Sequence, residues 1–165
     1  MKRLGTCHVL VIAAIVLGIA GGVVFAASVG LKKQPPLTAT DNGVTLTVSG
    51  ALKGLGNGDW MITVTAIATP TTTCTEQGGN QAPGQNPGDV PVVGRQIYPP
   101  TTRSNGSKPF SVTTDPPTQP TWDQAGCPNS NWTGHIDDLT FTSFTIYVEQ
   151  PVGSDIIVFQ QTFYP

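Results

Sequence analysis

The stretch Asp59–Thr69, "DWMITVTAIAT", decides the fold. Trp60, Ile62, Val64 and Ala66 fall on one face of an extended chain, and Met61, Thr63, Thr65 and Ile67 on the other. Side chains of a β-strand point alternately to its two faces, so this period of two marks a strand with one face buried. Just upstream, "GVTLTVSGAL" (residues 43–52) repeats the pattern, with Val44, Leu46 and Val48 opposed to Thr45, Thr47 and Ser49. The glycine-rich "GLGNGDW" between the two stretches predicts a hairpin connection.

Working outward, "DVPVVGRQIY" (89–98) reads as a short strand that Pro91 pushes toward a sheet edge. "KPFSVTT" (108–114) is a further strand, with Phe110 and Val112 on one face. "WTGHIDDLTFTSFTIYVEQ" (132–150) is a long extended segment. On it Phe141 falls on the odd-numbered face, but Phe144, Ile146 and Val148 fall on the even one. That change of phase predicts a bulge or bend near Thr142–Ser143. "IIVFQQTFYP" closes the chain as the last strand. No segment has helical periodicity after the N-terminal run, and no long repeat is visible. The expected fold is all-β: an antiparallel β-sandwich of the immunoglobulin-like kind over residues 43–165, with a small β-barrel as the alternative.

The N-terminus is of another character. Lys2 and Arg3 precede the uncharged run "VLVIAAIVLGIAGGVVFAA" (9–27). A basic start followed by an apolar run is the pattern of an export signal, and it keeps the N-terminus inside the cell. The cleavage site fits best after Ala26, with Val24 at −3; a cut after Ser28 is the second choice. The run is also long enough to stay as an anchor, since 19 helical residues span roughly 28 Å. Residues 1–26 are therefore expected to be a signal peptide or membrane anchor that begins as an apolar helix. Residues 27–42, with Pro35–Pro36, are expected to be a linker. The β-domain lies outside the cytoplasm in either case. Membrane contact is expected only through residues 9–27, if they are retained.

From Ala27 onward six bases face ten acids, and no basic cluster exists beyond Lys32–Lys33. Nucleic-acid binding has no electrostatic footprint. Of the three cysteines, Cys7 precedes the apolar run and cannot be a lipobox cysteine. Cys74 and Cys127 remain, an even pair in an oxidising compartment, and they are expected to form a disulfide. No histidine or further cysteine is close enough in sequence to suggest zinc. Each cysteine stands at the rim of a stretch that has no strand pattern: "CTEQGGNQAPGQNPG" (74–88) and "DPPTQPTWDQAGCPNSN" (115–131). Long loops of this kind must be tied down to be ordered. The disulfide is expected to clamp both to one end of the sandwich.

The motifs "GGNQAPGQNP" and "QAGCPNSNWTG", followed by "LTFTSFTIYV" and "VFQQTF", resemble a group of uncharacterised exported bacterial proteins with an immunoglobulin-like β-domain. The resemblance spans roughly Val44 to Phe163. It implies export, the β-fold and the cysteine pair, and it implies no catalytic residue.

Candidate chemistry is sparse. After the signal His135 is the one histidine, and no serine stands in a Gly-x-Ser-x-Gly elbow. On a regular strand His135 would share a face with Asp137 and Leu139, as a surface pair. Asp137 and Asp138 would point to opposite faces and could not serve together as glycosidase carboxylates. "TDNG" (40–43), "NGD" (57–59) and Asp137–Asp138 offer oxygens to calcium, but Asx and glycine in tight turns account for the first two. No metal site, catalytic residue or cofactor is expected, and the chain is taken as non-enzymatic.

Among the aromatic residues, Trp60 belongs to the buried face and Trp132 is expected to pack on the disulfide. Trp122 sits among prolines with no strand face to hide in; with Tyr98 it is the expected ligand contact. Two sequons, Asn105-Gly106-Ser107 and Asn131-Trp132-Thr133, matter only in a host that glycosylates them. The expected role is structural or adhesive at the cell envelope, toward an extracellular protein or glycan. A carbohydrate-binding module is one alternative. The other is a surface-fibre subunit that pairs through the 90–97 edge and the extended N-terminal tail.

Overall fold

The computed structural model describes residues 29–100 and 106–164. The expected signal or anchor, Cys7 and the sequon residue Asn105 lie outside the described residues. Among the described residues there is no helix, and the chain forms nine strands in two antiparallel sheets. They are β1 (Gly30–Leu31), β2 (Thr38–Asp41), β3 (Leu46–Lys53), β4 (Trp60–Glu76), β5 (Gln81–Pro83), β6 (Val90–Tyr98), β7 (Lys108–Thr113), β8 (Trp132–Glu149) and β9 (Ile157–Phe163).

In the first sheet Val48 pairs with both Ala39 and Val112, and Leu52 with both Leu31 and Lys108. A strand residue has one neighbour on each side, so β1 and β2 follow one another along one side of β3 and β7 runs along the other. In the second sheet Met61 pairs with Ile97 and Glu149, and Cys74 with Ala82 and Gly134. By the same reasoning β6 and β5 flank one side of β4 and β8 the other, with β9 outside β8.

The alternating residues meet between the sheets. Val48, Leu52, Ile62, Val64, Ile146 and Val148 have no exposed surface, and Trp60 and Phe110 are buried beside them in one core. Fully burying a side chain of this size contributes roughly 1.5–3 kcal/mol, so this layer supplies most of the drive to fold. Ladder hydrogen bonds of β6 go to β4, but the Tyr98 hydroxyl donates to the Ser111 carbonyl at 3.1 Å and accepts the Ser111 N–H at 2.9 Å. Asp115 N–H adds a bond to the Val93 carbonyl at 2.9 Å. β6 thus sits against β7 and joins the sheets along one flank.

Four features depart from the sequence expectation. First, "GLGNGDW" does not close a hairpin: β3 and β4 belong to different sheets, and the turn carries the chain across the core. Second, part of the expected linker is structured, because residues 30–31 and 38–41 are the edge of the first sheet and Pro35–Pro36 merely interrupt it. Third, the run after Cys74 is not wholly irregular. Gly79, at φ +85°, turns the chain so that β5 folds back on β4. Fourth, β8 has two bulges. The expected one lies at Thr142, skipped between the Ser143–Ile67 and Phe141–Ala68 pairs. The other is at Asp137, skipped between the Asp138–Thr71 and Ile136–Thr72 pairs. It turns Leu139 inward, so Leu139 does not share the exposed face of His135, and it leaves Asp137 and Asp138 both exposed.

Candidate functional site: the disulfide-clamped end

β4 and β8 outrun the body of the fold. From Thr69 to Glu76, β4 reads "TPTTTCTE", which has too few large apolar residues to make a core. This end is held differently. Cys74 and Cys127 are bonded, with their Cα atoms 5.6 Å apart, and the bridge ties β4 to the 114–131 segment. Around it a second, small buried cluster contains Cys74, Ala125 and Cys127, with half-buried Trp132 packed on it as the sequence suggests.

Ala125 is the pivot. Its carbonyl accepts the Thr72 hydroxyl at 2.8 Å, and its N–H donates to the Thr121 carbonyl at 3.0 Å. Gly84 N–H donates to the Thr72 carbonyl and Gln85 N–H to the Gly126 carbonyl, both at 2.9 Å. The two irregular runs are therefore stitched to each other and to β4. A Cβ on Gly84 would lie 2.0 Å from the Ala125 carbonyl oxygen, and one on Gly134 would lie 2.2 Å from the Ala125 Cβ. Only glycine permits so close an approach at those positions.

The bridge also fixes the turn that carries Trp122. Cys127 N–H donates to the Trp122 carbonyl at 2.7 Å, and Thr121 N–H to the Gln124 side-chain oxygen at 3.0 Å. The Thr121 hydroxyl donates to Asp123, and that bond, with help from backbone N–H groups of the turn, holds the Asp123 carboxyl below its usual range. The Trp122 side chain remains 40% exposed.

Beside this turn the proline-rich strap 116–120 crosses β8, with a cleft on each side. One, of about 270 Å³, is lined by Pro70, Pro91, Pro117, Pro120 and Ile136, with the polar residues Asp89 and Gln124 among them. Asp89 accepts the Thr69 hydroxyl at 2.7 Å. The other, of about 240 Å³, is bordered by Val44, His135 and Asp137. His135 Nδ1 shares a hydrogen bond with the Gln119 side chain, and Asp137 accepts the Thr73 hydroxyl at 2.6 Å. His135 and Asp137 are thus both engaged by structural neighbours, and no serine or cysteine lines the second cleft.

The expected site residues divide. Cys74 and Cys127 form the disulfide. Trp122 stands at the clamped end between Pro120 and Gln124, two residues of the larger cleft. Tyr98 is not with it. It stacks on Trp60, ring centroids 4.2 Å apart, at the far end of β4, so roughly 45 Å of extended strand separates it from Cys74. Its ring and hydroxyl both have structural partners. Of the calcium candidates, "TDNG" is a turn in which the Asp41 carboxylate accepts the Gly43 N–H at 2.8 Å, and Asp137–Asp138 lie at the bulge of β8. Among the described residues no group of three or more His, Cys, Asp or Glu side chains converges. The larger cleft escaped sequence reasoning because its walls come from four separate segments; the clustered prolines were its one visible sign.

Comparison with protein families, curated proteins and solved structures finds no match for this chain.

Proposed function

We propose that the protein is an exported, non-enzymatic domain that acts at the cell envelope by binding through its disulfide-clamped end. One observation carries the reading: a large indole is left exposed in a turn that a disulfide and a hydrogen-bond network hold rigid. An exposed aromatic side chain on a fixed turn gives contact area at small entropic cost on binding. The disulfide also fits an oxidising compartment, which accords with the export pattern of the N-terminus. An immunoglobulin-like strand order is part of the proposal. Its support is that one sheet holds the first, second and fifth long strands and the other the third, fourth, sixth and seventh, if β1 and β2 are taken as one interrupted strand and the short β5 is set aside.

Carbohydrate binding is the more specific form of this reading. Trp122 stands in the chain between Pro120 and Gln124, which line a cleft that combines apolar proline and isoleucine side chains with the Asp89 carboxylate and the Gln124 amide, the mixture that a sugar with one apolar face and several hydroxyls requires. Arrays of extracellular glycans, probed with the oxidised protein and with Trp122→Ala, test it. The expected result is binding to a defined glycan that falls at least about tenfold in the variant, a loss of about 1.4 kcal/mol. Absence of glycan binding removes the carbohydrate form and leaves a protein ligand. Mass spectrometry of the non-reduced protein recovered from the producing cells tests export, by the processed N-terminus and the two missing thiol hydrogens.

The surface-fibre alternative has less support at the 90–97 edge, where β6 already adjoins β7 and carries Pro91 and Arg95. Much of the tail it would use is paired with β3.

A further inference from the structure

We infer that β9 is a self-association edge, and that two copies of this chain pair through it as antiparallel strands in one continuous sheet. Sheet edges carry unpaired backbone groups, and proteins that remain monomeric guard them with charge, proline, shortness or cover. The other edges here are guarded. The β1–β2 edge is broken by Lys32, Lys33, Pro35 and Pro36. β5 has three residues, one of them a proline. β6 carries Pro91 and Arg95 and adjoins β7.

β9 has none of these devices. From Ile156 to Tyr164 there is no charge and no proline. Of the described strands longer than three residues it is the only one without a charged residue or histidine. It pairs with β8 on one side and with no strand on the other among the described residues. A bulge at Val158 bends its start, and Phe159–Phe163 is regular. Among the described residues, three of the five exposed large apolar side chains lie on it or at its ends: Ile156 at 56%, Ile157 at 48% and Tyr164 at 80%.

The composition selects a second copy as the occupant. Antiparallel pairing of a strand with itself sets the residue at the twofold axis against its own copy, where a charge is destabilising; among the described strands longer than three residues, only β9 has no charge that any choice of axis could oppose to itself. A twofold axis at Gln161, the centre of the regular stretch, sets Phe159 of each copy opposite Phe163 of the other and Tyr164 opposite Val158. Phe159, Gln161 and Phe163 pair with Val148, Ile146 and Phe144, so they lie on the core-facing side of the sheet. Yet Gln161 is exposed and both phenylalanines are only half-buried, so the second sheet overhangs the first at this edge. The second copy covers that overhang, joining main-chain bonds to an aromatic contact.

The test is sedimentation of the full chain in a mild detergent, comparing the unaltered protein with Gln161→Lys, Gln161→Glu and an equimolar mixture of the two. Gln161 is exposed, so both variants should fold, and circular dichroism checks this. The expected result is a dimer for the unaltered chain, at least about tenfold weaker association for each variant alone, and recovery in the mixture as a Lys–Glu pair forms across the axis. A monomeric unaltered chain overturns the inference. So does association that ignores the charge at 161, which would assign it to the N-terminal apolar run or to another surface. Failure here leaves the clamped-end reading untouched, because the two surfaces share no residue.

Discussion

The body of the fold and its clamped end are made from the same two strands, β4 and β8, by opposite means. In the body, Trp60 to Ala68 alternate strictly and bury side chains as large as tryptophan against the facing sheet. Beyond Thr69 the alternation continues in threonines, and the buried cluster shrinks to Cys74, Ala125 and Cys127, with Trp132 at its side. The first region is held by area removed from water. The second is held by a covalent bond, backbone hydrogen bonds and glycine-tight contacts. Where a strand runs out of apolar side chains, closure of the chain substitutes for a core, and that leaves a large aromatic residue free to face outward.

The comparison can be broken from either side. The largest effect is expected from Ile62→Ala in the body, at about 2–5 kcal/mol, because it empties a fully buried site. Urea unfolding followed by circular dichroism measures it, and against a domain stability of about 5–15 kcal/mol it removes a large share. Replacing both Cys74 and Cys127 by serine comes next, at about 2–4 kcal/mol, since the bridge spans 53 residues of sequence separation. Here the change should concentrate at the clamped end, seen as loss of order around Trp122 and Trp132 by fluorescence.

A smaller effect sharpens the role of Ala125. Gly134→Ala forces a methyl group to within 2.2 Å of it and should cost about 1–3 kcal/mol. Gly88→Ala, in the same end but with open space around it, should change thermal stability little. The smallest effect concerns acid. The Asp123 carboxyl titrates below its ordinary value of 3.8 in the folded chain, chiefly through the Thr121 hydroxyl. A lowered folded value means that the stabilisation is present above 3.8 and is lost as pH falls through the folded value. NMR titration should place Asp123 below 3.8 and find it moved up toward that value in Thr121→Ala.

What was legible in the sequence was local. The alternation of Trp60–Ile67 and Leu46–Val48 follows directly from the pleat, and the step from Phe141 to Phe144 announced the bulge at Thr142. The same three-residue step from Ile136 to Leu139 marks the bulge at Asp137 in the same way. What was not legible was pairing at a distance. Glycines at 54–58 mark a turn whether the strands they join lie in one sheet or two. Pro35–Pro36 look like a linker because a strand interrupted by prolines has too few residues on each side to display a period. Trp122 and the cysteine pair stood out by residue type alone, whereas the cleft beside them needed Pro70, Pro91, Pro117 and Pro120 to be brought together by the fold.

The central claim is that the clamped end depends on the disulfide and the body does not. Native-state hydrogen exchange, with the bridge intact and then reduced, tests it most directly. The account predicts that reduction strips protection from Gly84, Gln85, Ala125 and Cys127, whose amides form the stitching at that end, while Ile62, Val64 and Ile146 keep theirs. Equal loss at both sets of amides, or no loss at the first, would contradict it.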